Sequence, residues 1–426
     1  MNLSMIRYIA GWILSFEAAF LSLPCLIALL YREKEGIAFV AVLLVCLAIG
    51  LLLVWKKPKN TVFFAKEGFV SAALCWIIMS IFGALPFVLC GDIPSFTDAL
   101  FETISGFTTT GASILKDVES LSRCSMFWRC FTHWIGGMGV IVFLMTVLPL
   151  TGGSWIHLLR AESPGPSVGK LVPRMRHTAG ILYLIYLCMT IIEIVLLLFG
   201  GMNWFDAVTI SFGTAGTGGF SILNSGFVTY SSYVKIVVAV FMMLFGVNFN
   251  VYFLMLNRKF VQALRCEELR YYLMIIGIST LIITLNILSI CGSFGKALEE
   301  AFFQVSSIIT TTGFASADFN LWPQTSKTIL VLLMFIGACA ESTGGGIKVS
   351  RLVILIKTIR KELASIIHPR SVKKIKMEGK PVEHEVLRST NVFMITYVIL
   401  FAFSVLLISF NGFDLTTNFT AVAATL

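Results

Sequence analysis

The sequence predicts an all-α, polytopic membrane protein assembled from repeats of span, short half-helix, loop and span. Three observations carry this prediction. Runs of about 20 apolar residues recur, the length that crosses a hydrocarbon core roughly 30 Å thick. The chain of 426 residues is 57% hydrophobic and 13% charged, with a mean hydropathy of +0.89, too little charged surface for a soluble domain of that size. Basic residues, which set a formal net charge of +9, gather in alternate connections. These connections hold Lys56, Lys57, Lys59 and Lys66; then Arg160, Lys170, Arg174 and Arg176; then Arg258, Lys259, Arg265 and Arg270; and then the segment from Lys357 to Arg388. The stretch from Met202 to Tyr230 carries none. By the positive-inside rule the basic connections face the cytoplasm. Each abuts a span, so they read as topology signals and not as a nucleic-acid interface.

The first two spans are Ile9 to Leu30 and Gly36 to Trp55. Arg7 precedes the first, but no small-residue cleavage site follows it, so it reads as a helix and not as a signal peptide. Paired spans then follow at Phe69 to Cys90 and Phe127 to Leu150, at Ala179 to Gly200 and Tyr233 to Leu256, and at Tyr271 to Ile290 and Thr328 to Ile356. A further span runs from Val392 to Phe410. The chain thus divides into two N-terminal helices (1–60), a first pore unit (61–158), a second (159–258), a third (259–362), and a cytoplasmic linker with the beginning of a fourth (363–426). The fourth opens with Asp414-Leu-Thr-Thr-Asn-Phe-Thr-Ala-Val-Ala-Ala-Thr-Leu426, which matches a half-helix. With its loop and closing span absent, the expectation is a C-terminally incomplete chain that does not conduct as it stands.

The short segments between paired spans carry the chemistry. Asp98-Ala-Leu-Phe-Glu-Thr-Ile-Ser-Gly-Phe runs into Thr108-Thr109-Thr110-Gly111-Ala-Ser113. Asp206-Ala-Val-Thr-Ile-Ser-Phe-Gly-Thr-Ala215 runs into Gly216-Thr217-Gly218-Gly-Phe-Ser221. Ala297-Leu-Glu-Glu-Ala-Phe-Phe-Gln-Val-Ser-Ser-Ile-Ile runs into Thr310-Thr311-Thr312-Gly313-Phe-Ala-Ser316. Apolar stretches of about ten residues are too short to span and fit re-entrant half-helices. Acids near each start (Asp98, Asp206, Glu299 and Glu300) suit the positive end of the helix dipole, so the negative ends would point at a cation in transit. Irregular backbone at membrane depth is tolerated only where it is buried in protein or lines a wet cavity. Carbonyls converging from several such loops can replace the water shell of a monovalent cation. Glycine at 111, 218 and 313 supplies the backbone conformation that turns carbonyls to one axis. An anion pore would place Arg or Lys there, and none is present.

Together with these loops, Trp134-Ile-Gly-Gly-Met-Gly139, Ala161-Glu-Ser-Pro-Gly-Pro166 with Pro173-Arg-Met-Arg176, Gly246-Val-Asn-Phe-Asn250 and Ser342-Thr-Gly-Gly-Gly-Ile-Lys-Val349 complete a recognisable pattern. Over its whole length the sequence resembles the TrkH/TrkG branch of the bacterial Trk/Ktr potassium transporter superfamily. The resemblance implies four span–pore helix–filter loop–span units arranged as a pseudo-tetramer around one pore. It implies filter carbonyls from Thr108 to Gly111, Ala215 to Gly218 and Thr310 to Gly313, with K⁺ as the only metal ion. It further implies a homodimer controlled by a cytosolic TrkA-type nucleotide-binding subunit, in the bacterial inner membrane, and no bound cofactor.

A second site lies in the span after the third loop, at Gly337-Ala-Cys-Ala-Glu341-Ser-Thr-Gly344-Gly345-Gly346-Ile-Lys348. Stacked glycines cost about 1 kcal/mol each against Ala in a helix, so the helix is expected to break here. A close-packed small-residue face is the alternative. The break reads as a loop that obstructs the pore, and the resembling family has an intramembrane gating loop at this point. Glu341, where relatives carry a small residue, is expected to face the cavity or to pair with Lys348. Glu17 and Glu193, inside spans, are expected to pair between helices, and His133 and Trp134 to pack. The ten cysteines show no CxxC or Cys/His metal spacing, and most sit in apolar runs as small hydrophobes.

Inward conduction of K⁺, driven by membrane potential, needs no catalytic group. Na⁺ conduction or K⁺/Na⁺ symport through the same pore is the alternative, although similar plant transporters that pass Na⁺ often have Ser in the first loop. An intramembrane hydrolase would need paired Asp, Ser/His or HExxH within the spans, and the sequence has no such constellation. The segment from Lys357 to Arg388, with His368-Pro-Arg370, is either the dock for a regulatory ring or charge that sets topology and attracts anionic lipid.

Overall fold

The computed structural model describes residues 2–58, 65–139, 175–368 and 374–426. Lys59, Arg160, Lys170, Arg174, the Ala161 to Pro166 motif, the inner half of the span expected at Phe127 to Leu150, and Pro369 with Arg370 lie outside the described residues. The expected all-α class holds. Among the described residues the one sheet is a hairpin, Lys376–Met377 against Lys380–Pro381. Its turn places Glu378 and Gly379 at φ 53° and 78°, the paired left-handed geometry of a tight hairpin.

Six described helices are long and apolar enough to cross a membrane. They lie within α1 (Leu3–Tyr31), α2 (Gly36–Val54), α3 (Ala65–Cys90), α6 (Met175–Phe199), α11 (Glu267–Cys291) and α15 (His384–Ser409). Between them come α4 (Phe96–Phe107), α5 (Arg123–Gly137), α7 (Trp204–Ala215), α8 (Ser232–Phe245), α9 (Phe249–Leu256), α10 (Phe260–Leu264), α12 (Phe294–Ile309), α13 (Gln324–Ile336) and α14 (Val349–Ile367), with α16 (Leu415–Thr425) last. Polar caps set several boundaries: Ser95 receives Asp98 N, Asn203 receives Asp206 N at 2.9 Å, and Asp414 receives Thr417 N at 3.2 Å.

The chain divides into two compact units, Met1–Thr229 and Tyr230–Leu426. The division falls inside the second pore unit expected at 159–258.

In the first unit α1 and α2 form a hairpin whose helices touch at Gly11 and Gly50, where a Cβ on either would meet the other's backbone. The half-helix α4 lies between α3 and α5, and α7 packs on α5 and α6. Small residues permit the fit. A Cβ on Gly83 would crowd Phe107 and Thr103, and one on Gly106 would overlap Thr132. Trp128, fully buried on α5, donates Nε1–H to Gly83 O at 2.9 Å. Phe131 packs against Phe20, Phe127, Trp134 and Phe212, with ring centroids 5.2–5.8 Å apart.

In the second unit a stripe on α11 (Tyr272, Ile276, Ile283 and Ile287) packs on Ala297, Ala301, Val305 and Ile309 of α12. Two expectations are corrected here. The span expected from Tyr233 to Leu256 is broken: α8 and α9 meet at 89° across Gly246 to Asn248. Asn248 starts the new helix by accepting from Asn250 N at 2.9 Å, and Gly246 permits the close packing at the break, since a Cβ there would run into Tyr272 and Thr310. Glu299 and Glu300 do not open their half-helix. Relative to the other two half-helices α12 starts about one turn early, at Phe294, and its first turn carries no acid. The dipole argument therefore applies to Asp98 and Asp206 alone.

Glu33, in the α1–α2 turn, accepts from Arg123 N at 2.7 Å and Cys124 N at 2.9 Å, capping α5 from a distant part of the chain. Glu33→Ala leaves both amides without this acceptor. It is expected to cost about 1 kcal/mol, seen as a lower apparent Tm of the detergent-solubilised protein, while Glu33→Gln retains part of the loss.

Candidate functional site

The three loops share one backbone plan. Counted from the helix ends Phe107, Ala215 and Ile309, the next residue donates its amide four residues back: Thr108 to Ile104 O, Gly216 to Phe212 O, and Thr310 to Ser306 O. The second donates three back, from Thr109 to Gly106 O, Thr217 to Thr214 O and Thr311 to Ile308 O. The third and fourth amides in each loop share one carbonyl. Thr110 and Gly111 both reach Ser105 O, Gly218 and Gly219 both reach Gly213 O, and Thr312 and Gly313 both reach Ser307 O. A planar trans peptide directs its C=O opposite to its N–H. The carbonyls of 109 and 110, of 217 and 218, and of 311 and 312 are therefore turned away from their half-helices.

Left-handed residues make this possible. Thr109, Thr217 and Thr311 have φ of 55°, 49° and 58°, and Gly111, Gly219 and Gly313 have 75°, 77° and 89°. For β-branched Thr this costs about 1–2 kcal/mol. In the second loop the backbone register thus runs Gly216 to Gly219, one residue later than the window expected at Ala215 to Gly218. Ala215 is the last residue of α7, and Gly219, absent from the expected set, takes the place of Gly111 and Gly313. The second glycine of the Gly218-Gly219 pair was the available signal for that register.

The side chains explain where the loops differ. Thr108 and Thr110 hydroxyls bond at 2.8 Å, and Thr310 and Thr312 hydroxyls at 2.7 Å. The second loop has Gly216 and Gly218 at those places because His133 fills the space. A Cβ on Gly218 would strike the imidazole, and one on Gly216 the His133 carbonyl. The His133 ring stacks on Phe220 at 4.0 Å, and its Nδ1 accepts from Phe220 N at 3.4 Å. His133 therefore packs, as expected, and so does Trp134, whose Nε1 donates to Thr190 Oγ1 at 3.2 Å. In the same motif a Cβ on Gly136 would overlap Phe107 O, and one on Gly137 would overlap Gly216.

Charged groups stand behind the loops. Glu102 of α4, 1% exposed, accepts from Ser113 Oγ at 2.9 Å, Ile114 N at 3.0 Å and Arg129 Nε at 2.5 Å. Lys235 donates to Glu300 at 3.1 Å, and Glu300 also receives Ser316 Oγ. Glu102, Arg129 and Lys235 are not among the residues expected at the site. The signal was there, because ionisable residues at membrane depth are rare and need partners. Glu17 and Glu193 are fully buried. The Thr214 hydroxyl of α7 stands beside the Glu193 carboxyl of α6, a contact between helices as expected, whereas among the described residues no hydrogen bond reaches the Glu17 carboxyl. Outside the membrane, the Asn224 amide on Asp117, at 2.7 Å, holds that carboxyl below the usual range.

The second site breaks where the stacked glycines announced it. Helix α13 ends at Ile336 and α14 begins at Val349, with Gly337, Glu341, Gly346 and Lys348 all at positive φ between. The segment closes on itself through Ile347 N to Phe335 O and Lys348 N to Ile336 O. It also docks on the third loop. Gly345 N donates to Thr311 Oγ1 at 2.7 Å, and a Cβ on Gly344 would lie 2.9 Å from Thr310 O. It is stitched to the break in α8–α9 by Cys339 N to Gly246 O at 3.0 Å and Phe249 N to Glu341 O at 3.1 Å. The Glu341 carboxylate receives Asn250 Nδ2, and Lys348 Nζ donates to Gly344 O. Glu268, 5% exposed, joins both breaks by accepting from Ala340 N (2.7 Å), Ser350 N (3.0 Å) and Asn248 Nδ2 (3.4 Å). No group of His, Cys, Asp and Glu among the described residues could hold a metal ion.

Apolar spans alternating with re-entrant half-helices, each ending in the same carbonyl-presenting loop, define a multi-pass membrane transport protein. The model of the TrkH family, described as cation transport protein, matches residues 35–426. The chain belongs to this family, which is one of transporters and not enzymes. It is 35% identical to the Trk system potassium uptake protein TrkH of Escherichia coli (strain K12), covering 100% of this chain and 90% of that protein. It is 33% identical to the Trk system potassium uptake protein TrkG of the same organism, covering 100% and 89%. The crystal structure of the potassium transporter TrkH from Vibrio parahaemolyticus superposes with a TM-score of 0.89 at 33% identity, over 100% of this chain and 89% of that one.

Gly218→Ala is expected to lower the yield of folded protein by driving a Cβ into His133. Adding His133→Ala should recover it, as read by the monodisperse peak in size-exclusion chromatography.

Proposed function

We propose that the protein takes up K⁺ across the bacterial inner membrane, with the basic connections on the cytoplasmic side. One observation carries this reading: three loops in one hydrogen-bond register, each turning consecutive carbonyls away from its half-helix. Such carbonyls substitute for the hydration shell of a desolvated monovalent cation. The working residues are Thr108 to Gly111, Gly216 to Gly219, and Thr310 to Gly313, and K⁺ is cargo. The potassium uptake named for the relatives supports the choice of ion. Glycine at the left-handed fourth position of every loop supports it too, since any side chain there would strain the backbone.

In this reading the segment from Gly337 to Lys348 is the gate. Its hold on Thr311 and its stitching to the α8–α9 break support that role, because a movement of either helix would pull on the loop. The protein works as a homodimer under a cytosolic TrkA-type nucleotide-binding subunit, and the basic stretch of α14 with the 376–381 hairpin is its dock. Lys357 supports such a platform by joining Glu267 to the hairpin through Lys376 O at 2.7 Å.

Expressed from its own gene in a bacterium without K⁺ uptake systems, the protein is expected to restore growth and rubidium uptake at low external K⁺. Gly111→Ser is expected to lose preference over Na⁺. Uptake of Na⁺ by the unaltered protein, with or without K⁺, would replace this reading by Na⁺ conduction or symport. Asn250→Ala removes one hold on Glu341 and is expected to raise the rubidium uptake rate severalfold. An unchanged rate at equal expression would count against the gate.

A further inference from the structure

The loops need more than a half-helix to hold their shape. The residues entering each loop are fixed by amides folded back on the helix, but among the described residues no such ladder continues after Gly111, Gly219 or Gly313. The exit limbs are held by side chains, as where His133 takes Phe220 N and the Ser307 hydroxyl donates to Phe314 O at 2.6 Å. Their position decides where the last carbonyls point. Discrimination between K⁺ and Na⁺ depends on the number and field of those carbonyls.

In the first unit one buried ion pair grips two exit limbs. Ser113 lies two residues past Gly111, and its hydroxyl donates to Glu102 at 2.9 Å. Glu102 also takes the next amide, Ile114 N, at 3.0 Å. Ser221 lies two residues past Gly219, and its carbonyl accepts from Arg129 Nη1 at 2.9 Å. Arg129 Nε closes the bracket on Glu102 at 2.5 Å, and its guanidinium lies 3.7 Å from the centre of the Phe220 ring. The two charged side chains are 1% and 2% exposed.

In the second unit the same chemistry recurs at positions that do not align. Ser316, three residues past Gly313, donates to Glu300 of α12, and Glu300 pairs with Lys235 at 3.1 Å, with Glu299 3.9 Å from that ammonium. Counted back from the helix ends, Glu102 corresponds to Gln304, whose amide has no partner among the described residues, and Glu300 corresponds to Asp98. Common descent of one position does not account for the match. A buried pair is also poor value as a stabiliser, since well-packed apolar residues often do as well. What both arrangements deliver is a carboxylate, neutralised by a buried cation, that receives the hydroxyl of the exit limb.

We propose that Glu102 with Arg129, and Glu300 with Lys235, are positioning residues for ion selectivity that brace the exit limbs of the loops through Ser113, Ser221 and Ser316. This rests on the reading of the loops as a K⁺ filter. The serines provide the clean test, because Ser113→Ala and Ser316→Ala each remove the hydroxyl that grips the carboxylate and leave the ion pairs intact, with Ile114 N still on Glu102. Rubidium uptake and its inhibition by Na⁺ are measured in cells at matched amounts of folded protein, with Ser113→Thr as the conservative variant.

The preference for Rb⁺ over Na⁺ is expected to fall roughly tenfold in each Ala variant, the scale of one lost hydrogen bond to a charged group, and to be kept in Ser113→Thr. A wild-type ratio in both Ala variants overturns the proposal. So does an equal loss in Ser113→Thr, which would mean that the site reports packing only. The two serines lie in different units, so misfolding of one variant leaves the other to decide. If the unaltered protein prefers Na⁺, the K⁺ reading fails, and the brace is then judged by whether Ser113→Ala changes that preference.

Discussion

A peptide group left unpaired within a membrane costs several kcal/mol, so non-helical backbone there must find its hydrogen bonds inside the protein. Every notable feature of this chain answers that constraint. The loops at 108–111, 216–219 and 310–313 meet it by donating consecutive amides to a single carbonyl of their own half-helix: Ser105, Gly213 or Ser307. Peptide planarity then turns the matching carbonyls the other way. The geometry that satisfies the amides is the geometry that turns the loop oxygens away from the half-helix. Left-handed Thr109, Thr217 and Thr311 carry its cost.

The same rule shapes the two helix breaks. Where α8 gives way to α9, and α13 to α14, the freed backbone groups are taken up by each other and by Glu268, which accepts from both segments. A carboxylate in this place is costly to bury and is satisfied by three donors, so it links the breaks into one unit. The segment from Gly337 to Lys348 therefore rests on the third loop at one end and on the α8–α9 break at the other.

Much of this was legible from particular residues. Gly344-Gly345-Gly346 announced the break of the last paired span, because glycine is costly in a helix. The repeated Thr/Gly runs after short apolar segments announced the loops. What failed did so for tertiary reasons. The helix from Tyr233 to Leu256 reads as one apolar run, and it is broken where Asn248 caps a new helix and Cys339 N, from a distant segment, takes the Gly246 carbonyl. Glu300 aligns with Asp98 and Asp206, yet sits deeper in its helix because α12 begins earlier, and there it meets Lys235. The second loop was read one residue early because its glycines serve two purposes: Gly218 clears the His133 ring, and Gly219 supplies the left-handed turn.

The sequence by itself determined the membrane class, the repeats, the half-helices and the place of the glycine-rich break. These follow from local quantities: apolar length, charge placement and backbone propensity. Only the tertiary structure decided the register of the second loop, the bend at Gly246, and the partners of Glu102, Arg129, Lys235, Glu300 and Glu268. Each of these depends on which atoms from distant parts of the chain occupy the same few ångströms, and no local pattern encodes that.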